Sequence, residues 1–158
     1  MDLTFRTEMG RFNYRVCAVI LRQEYILAMK DERSPYYYLP GGRVHLHETA
    51  EDALRREIKE ELLIDAEIVR PLWFNQSFFT EDVDQERYHE ICVYFLVNIE
   101  HTGLRNTGSC FQLDEGKHTH VFEWLPYDSL KSLYFYPGFL KERIRCLPES
   151  LEMLTTIE

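Results

Sequence analysis

The sequence predicts an α/β fold in which a mixed β-sheet lies between helices. Three observations support it: β-prone apolar runs fill the first forty residues, one amphipathic helix follows, and further strands precede the last helices. Strands around a central helix, with helices returning late, bury apolar surface on both faces of a sheet. The length of 158 residues predicts one domain over 1–158.

The N-terminal part is expected to form strands. Residues 16–21 and 25–29 are apolar and β-prone, and the three polar residues between them predict a hairpin. The polar stretch 31–35 predicts a loop. Residues 36–39 predict a short aromatic strand that ends at Pro40-Gly41-Gly42.

Two longer strands are expected after the first helix, at 68–79 and 90–99. The second is apolar without alternation, as expected of a strand covered on both faces. Residues 103–119 contain three glycines and many polar residues, which predicts a long loop. A last strand is expected at 120–125.

The end of the chain is expected to be helical. Pro126 can open a helical turn, and Pro137 can occupy the first position of a helix that continues through Leu147 with apolar residues on one face. A further turn is expected in the tail from Pro148.

The first helix begins after Thr49, a good N-cap residue with Asp52 three positions later. Apolar residues then recur at spacings of three and four, which defines the buried face. These residues are Ala50, Ala53, Leu54, Ile58 and Leu62.

Three glutamates lie next to this buried face. At about 100° per residue, Glu57 and Glu61 project between apolar positions, and Glu60 lies at the near edge. Carboxylates drawn toward a core are costly unless a cation compensates them. Mg²⁺ or Mn²⁺ would do so, because both prefer carboxylate oxygens. A charge run in contact with solvent is the alternative interpretation.

The residues before the helix favour the metal interpretation. Gly41 and Gly42 follow a strand and lead into the helix N-terminus. Two glycines let the backbone approach a ligand closely, and helix N-termini attract anions. Together with the acidic helix, they predict a site for a metal ion and a phosphate.

These residues resemble the signature of the Nudix hydrolases. That signature is a glycine, five residues, a glutamate, seven residues, then Arg-Glu-apolar-x-Glu-Glu-x-Gly-apolar. Here Gly42 and Glu48 are followed by Arg56-Glu57-Ile58-Lys59-Glu60-Glu61-Leu62-Leu63-Ile64. Leu63 replaces the usual glycine of the signature. By the resemblance, that glycine would end the helix in a left-handed conformation, which leucine resists. His45 and His47 also depart from the common loop. The resemblance implies a Nudix-type α/β/α sandwich.

The resemblance further implies divalent-metal-dependent hydrolysis of the pyrophosphate linkage in a nucleoside diphosphate joined to another group. Glu57 and Glu61 would be the principal metal ligands, aided by Glu60 and the carbonyl of Gly41. The cofactor would be Mg²⁺ or Mn²⁺.

Other charged residues receive supporting roles from the same resemblance. Arg56 would hold a carboxylate in place, and Glu48 would support the loop or a metal-bound water. Glu60 is one candidate for the general base. Glu115 or Asp114 is another, because the predicted loop can fold over the site, and Glu90, which opens a buried strand, is a third.

Substrate-binding candidates are less specific. Arg43 follows the glycines and can reach a phosphate, and the rings of Tyr37 and Phe79 can stack on a base or leaving group. The His45–His47 and His118–His120 pairs have a spacing that suits a metal or a base. Histidines in such stretches are more often exposed loop residues.

Composition restricts partners and compartment. The net charge of −9 disfavours a grip on nucleic acid, and no apolar run is long enough to span a membrane. Four cysteines without a close pair fit a reducing, cytoplasmic location. The expected partner is a nucleotide-derived small molecule, and a homodimer is compatible with the exposed strand edges.

Two alternatives to this enzyme remain. One is a catalytically silent Nudix-fold module that binds a nucleotide and acts in regulation. The other is a member acting on RNA 5′ ends, which would need a basic path that a chain of net charge −9 does not suggest.

Overall fold

A computed structural model describes residues 1–158. The helices are α1 (Ala50–Leu62) and α2 (Leu140–Arg143), and 3₁₀ turns cover Gly103–Asn106 and Tyr127–Ser132. The strands are β1 (Thr4–Thr7), β2 (Gly10–Arg22), β3 (Tyr25–Lys30), β4 (Gly41–Arg43), β5 (Glu67–Thr80), β6 (Arg87–Asn98), β7 (Cys110–Glu115), β8 (His118–Pro126) and β9 (Glu152–Ile157). Neither helix has the length and apolar character needed to cross a membrane.

The strands form one nine-stranded mixed sheet. Its order is β7-β8-β3-β2-β6-β5-β9, and β1 and β4 both pair with β2. The β2–β6 and β5–β9 pairs are parallel, and the other pairs are antiparallel. The predicted α/β class with a mixed sheet is therefore confirmed.

Strand β2 separates two apolar cores because its side chains alternate between the faces of the sheet. Val16, Ala18 and Ile20 pack in the core that contains α1. Cys17 and Val19 pack on the other side, in the core that contains residues of α2. The sheet is thus covered on both faces. Helix α1, which carries the three glutamates of the signature, covers one of them.

The expected loop at 103–119 is wrong. This stretch contains a 3₁₀ turn, all of β7 and the start of β8, and β7 pairs antiparallel with β8. Burial alternates along β7, so Phe111 and Leu113 face the core while the residues between them are exposed. A half-exposed strand with few apolar residues looks like a loop by composition alone.

Two further expectations on local structure are corrected. Tyr37 and Tyr38 form only isolated bridges, and the short strand is instead Gly41–Arg43, which pairs with β2. At the C-terminus, α2 contains four residues only. The tail forms β9, which pairs in parallel with β5, because the exposed edge of β5 offers backbone partners.

Helix α1 has the predicted N-terminus. The Thr49 hydroxyl accepts a hydrogen bond from the Asp52 N–H at 3.1 Å. At the other end Leu63 adopts the left-handed conformation with φ 60°, and its N–H donates to the Lys59 carbonyl at 3.1 Å. The helix therefore ends where a glycine would end it, although the residue is leucine.

Leu63→Gly is expected to stabilise the protein. The left-handed conformation costs leucine about 1–2 kcal/mol, and the side chain is 62 % exposed, so little packing is lost. Part of the gain is offset by the greater freedom of glycine in the unfolded chain, which leaves about 0.5–1 kcal/mol. Thermal and urea unfolding measure it.

Leu63→Ala is the matched control, because it removes the side chain but keeps the Cβ that opposes a left-handed conformation. It should give no comparable gain. A marked loss of stability in Leu63→Gly would show that the leucine side chain supports the fold.

Candidate active site

Gly41 is the first residue of strand β4 and contacts the last turn of helix α1. Its N–H donates a hydrogen bond to Oε1 of Glu61 at 2.9 Å. Gly41 has φ 155°, and a Cβ there would lie 2.1 Å from the carbonyl oxygen of Val16. Only glycine fits this close approach of β4 to β2, and the approach directs the amide to the carboxylate.

Gly42 makes room for the second carboxylate. A Cβ at this position would lie 2.3–2.5 Å from the carboxylate atoms of Glu57. The two glycines thus have different functions in the structure. Gly41 supplies a donor to Glu61, and Gly42 leaves space for Glu57.

Arg56 fixes Glu57 through a network that includes Glu48. Its Nη1 donates to Glu57 Oε1 at 2.7 Å, while Nε and Nη2 donate to the two Glu48 oxygens at 2.8 and 3.0 Å. Nη2 also donates to the carbonyl of Arg43 at 3.0 Å. Glu48 accepts in addition from the His45 N–H. The hydrogen bonds from Arg56 lower the pKa of Glu48 to about 2.

Glu61 has the least solvent access of the signature carboxylates. It is 6 % exposed, and burial raises its pKa well above the usual range, with a further contribution from Glu57. The hydrogen bond from Gly41 opposes this rise. Burial also raises the pKa of Glu57, and the contact with Arg56 opposes it.

Glu60 differs from the other two. It lies in the exposed part of α1, and its ion pair with Arg56 is long, at 3.6 Å. Its carboxylate is therefore free to accept a proton or to contact a ligand from the solvent side.

The β7–β8 hairpin brings two further residues to Glu61. Ligand atoms of Glu61, Glu115 and His120 all lie within 4.8 Å of one another. The sequence predicts Glu115 on a long loop that can fold over the site. In the structure Glu115 is instead the last residue of strand β7. His120 opens the strand predicted at 120–125, and it is buried at 8 % exposure rather than exposed.

A cleft of about 630 Å³ adjoins β4. Arg43 and Phe79, two of the predicted binding residues, line it together with Arg15, Tyr36 and other residues. This volume is within the range of small-molecule sites. Further aromatic and acidic lining residues are Tyr38, Tyr134, Tyr136, Asp31, Glu81, Asp82, Glu90 and Glu158.

The structure places Tyr37 outside this cleft. Its hydroxyl donates to Glu123 at 2.7 Å, and Lys30 lies over its ring. Its neighbours Tyr36 and Tyr38 line the cleft, since successive residues of extended chain point to opposite sides. The predicted contact of Tyr37 with substrate has no geometric basis here.

Two other polar residues, Glu90 and His45, contact residues outside helix α1. Glu90 is buried in the cleft wall, where Asn13 donates to it at 3.3 Å. His45 instead lies 3.1 Å from Asp2. Arg15 lies near the carboxylates and has no signal in the sequence, whereas the spacing of His118 and His120 already suggested a metal or a base.

The donor set fits a divalent cation. Arg56 pairs with Glu57 and Glu60 but not with Glu61, so the most buried carboxylate of the signature has no salt bridge. Buried carboxylates are stable as anions only when paired, hydrogen-bonded or bound to a metal. The cluster of oxygen ligands with one imidazole is suited to a metal ion.

The comparisons with known proteins agree with this geometry. A family model described as the NUDIX domain matches residues 11–144. No curated protein sequence matches the chain. The chain therefore belongs to the Nudix hydrolase family.

Solved structures show the same fold. A MutT protein from Bacillus halodurans has TM-score 0.61 and 14 % identity, over 92 % of this chain and 89 % of that one. An ADP-ribose pyrophosphatase from Streptococcus suis has TM-score 0.57 and 19 % identity, over 90 % and 98 %. A UDP-X diphosphatase has TM-score 0.54 and 19 % identity. The match includes 84 % of this chain but only 59 % of that one, so this chain spans less than two thirds of its length.

Gly42→Ala is expected to displace Glu57 while leaving the fold intact, because the Cβ meets the end of a flexible side chain rather than backbone. Metal affinity should fall about tenfold or more, as expected for loss of a correctly oriented ligand. Calorimetric titration with Mn²⁺ measures this. Gly103→Ala is the control, because a Cβ there has no neighbour within 4 Å; equal affinities of the two variants would contradict the assignment.

Glu61→Gln is expected to stabilise the metal-free protein at pH 8. Burial raises the folded-state pKa of Glu61 above its unfolded value, so this carboxyl favours folding at low pH. That contribution is lost as the pH rises through the folded pKa. Glutamine stays neutral and can still accept from Gly41. Unfolding in EDTA at pH 4 and pH 8 measures the difference.

The expected rise in Tm for Glu61→Gln at pH 8 is a few degrees, with little change at pH 4. Glu51→Gln is the control, since Glu51 is exposed in the first turn of α1. It should lower Tm slightly through the helix dipole. A lower Tm for Glu61→Gln at pH 8 would show that the carboxylate charge stabilises the metal-free fold.

Proposed function

We propose that the protein is a divalent-metal-dependent hydrolase of the pyrophosphate linkage in a nucleoside diphosphate joined to another group. One observation carries the proposal: the buried Glu61 contacts the Gly41 N–H, while Glu57 lies over Gly42. Both carboxylates thus contact β4, and Arg43 of the same strand lines a cleft large enough for a nucleotide-type molecule, which supports the proposal.

Glu57 and Glu61 would hold Mg²⁺ or Mn²⁺, with Glu60 and the carbonyl of Gly41 as further oxygen ligands. A bound ion of this kind lowers the pKa of a coordinated water and offsets the charge of the phosphates.

Arg56 and Glu48 act as positioning residues in this proposal. Four of the five N–H donors of Arg56 are engaged by Glu57, Glu48 and the Arg43 carbonyl, so only one N–H, on Nη1, remains for another partner. Glu48 in turn has both oxygens engaged by Arg56 and one also by the His45 N–H. The network holds the Glu57 carboxylate in one orientation and ties the loop before α1 to strand β4.

Arg43 and Arg15 are proposed to bind the phosphates. Both line the cleft and occupy paired positions on β4 and β2, at the end of the cleft closest to the glycines. Guanidinium groups suit phosphate oxygens because they donate two hydrogen bonds in one plane.

Phe79 and Tyr36 are proposed to contact the base or the leaving group. Phe79 stacks on Tyr88 with centroids 5.0 Å apart and presents part of its ring to the cleft. Tyr36, the neighbour of Tyr37 in the sequence, lines the same cleft as Phe79.

Two carboxylates remain for proton transfer. Glu60 is exposed and weakly paired, which suits a general base that collects a proton from water. Glu115 reaches the site from the opposite side, next to Glu61. It is proposed as a further catalytic carboxylate.

The wider proposal concerns the whole chain. It is one domain over 1–158, located in the cytoplasm and acting on a nucleotide-derived small molecule, with a homodimer left open. The acidic cleft rim of Glu81, Asp82 and Glu158 does not suit a nucleic acid strand. The free thiols of Cys17 and Cys92, 3.6 Å apart, fit a reducing compartment.

A hydrolysis screen tests the proposal. ADP-ribose, nucleotide sugars, dinucleoside polyphosphates, dNTPs and oxidised dNTPs are incubated with Mg²⁺ or Mn²⁺, and products are followed by ³¹P NMR in H₂¹⁸O. One class should be turned over, with ¹⁸O incorporated into a phosphate group. Glu57→Gln should lower kcat by about a hundredfold or more, because it removes a metal ligand.

Glu51→Gln, on the exposed side of the same helix, should keep the wild-type rate. EDTA should abolish turnover. Binding of a nucleotide and metal without turnover of any substrate would favour the silent binding module instead, and a Glu57→Gln variant with wild-type kcat would overturn the metal assignment.

A further inference from the structure

The β7–β8 hairpin directs an imidazole toward Glu61. Leu113 of β7 lies opposite His120 of β8, and Glu115 is two residues further along β7. These three side chains therefore share one face of the hairpin. Leu113 packs against the core that contains α1, so this face is turned toward the helix that carries Glu61.

His120 is not accounted for as an ordinary core histidine. Its Nε2 is the ring nitrogen that faces the carboxylates and lies 3.3 Å from Oε2 of Glu115, while the other ring nitrogen, Nδ1, is buried and has no hydrogen-bond partner. Buried ring nitrogens are normally hydrogen-bonded, because an unpaired polar group in the interior is costly.

Two carboxyl groups approach the imidazole of His120 from different elements of the fold. Glu61 and Glu115 both present an oxygen to the same small volume, within 4.8 Å of the histidine nitrogen. Glu61 has no salt bridge, and Glu115 has only its contact with His120. Two oxygens and one nitrogen that converge without a cation are the partial ligand set of a metal ion.

We propose that His120, together with Glu115 and Glu61, forms a mixed carboxylate–imidazole metal subsite that selects Mn²⁺ or Co²⁺ over Mg²⁺. This inference rests on the proposed function, because Glu61 is shared with the carboxylates of α1. Imidazole nitrogen is a good ligand for transition-metal ions, whereas Mg²⁺ prefers oxygen ligands and retains several waters. The hairpin thus determines which ion the site prefers.

Pulsed EPR of the full-length protein with Mn²⁺ tests this directly. Electron spin-echo modulation from a ¹⁴N nucleus should be present in the wild type and should change as expected on ¹⁵N-histidine labelling. It should disappear in His120→Gln. His118→Gln is the matched control, since His118 lies on the same strand two residues away and is exposed; it should keep the nitrogen signal.

Metal affinities give the second readout. His120→Gln should weaken Mn²⁺ binding about tenfold and leave Mg²⁺ binding within about twofold, so that the Mn²⁺ preference is lost. Glu115→Gln should weaken both ions, because it removes an oxygen ligand that both can use. Far-UV circular dichroism checks that each variant is folded, and the wild-type nitrogen signal requires no variant at all.

The outcomes separate this inference from the proposed function. Turnover by a wild-type protein whose bound Mn²⁺ has no nitrogen coupling would overturn the subsite and leave the hydrolase intact. Nitrogen coupling in a protein that hydrolyses nothing would support the subsite and overturn the hydrolase. Equal loss of Mn²⁺ and Mg²⁺ affinity in His120→Gln would contradict the proposed selectivity.

Discussion

The contact between the Glu61 carboxylate and the Gly41 N–H is the constraint on which the rest of the site depends. A carboxylate that is 6 % exposed can remain in the fold only if its surroundings replace the lost water. One replacement is the Gly41 amide, which requires strand β4 to lie too close to β2 for any residue with a side chain. The contact ties helix α1 to strand β4, whose register is set by its pairing with β2.

The carboxylates of α1 differ because the helix turns each toward different surroundings. Glu61 faces the interior, Glu57 is half buried beside Arg56, and Glu60 remains in solvent. Arg56 is held by Glu48 from the preceding loop, so the charge of the arginine is committed to Glu57 and cannot move to Glu61. The network therefore keeps Glu57 paired with Arg56 and leaves Glu61, four residues later, without a salt bridge. A cation could compensate the unpaired carboxylate.

Sequence reasoning found the parts of the site whose signals are local. Thr49, the apolar spacing of α1 and the pair Gly41–Gly42 lie within about twenty residues, and the signature connects them. It missed the hairpin and strand β9, because half-exposed edge strands contain few apolar residues and their pairing depends on distant partners. The spacing of His118 and His120 is that of two residues on one face of a strand. The sequence does not show that β7 pairs with this strand and brings Glu115 to the same face.

The two halves of the site have different connections to the fold. Gly41 and Glu61 are separated by 20 residues and belong to one strand–helix segment. Glu115 and His120 belong to a hairpin that joins the sheet through the β3–β8 ladder. Local opening of that ladder would remove both residues together while Glu57 and Glu61 stayed in place. Amide hydrogen exchange in β8 would thus measure how often the proposed ligands Glu115 and His120 move away from Glu57 and Glu61. A metal ion bound to residues of both halves would slow that exchange.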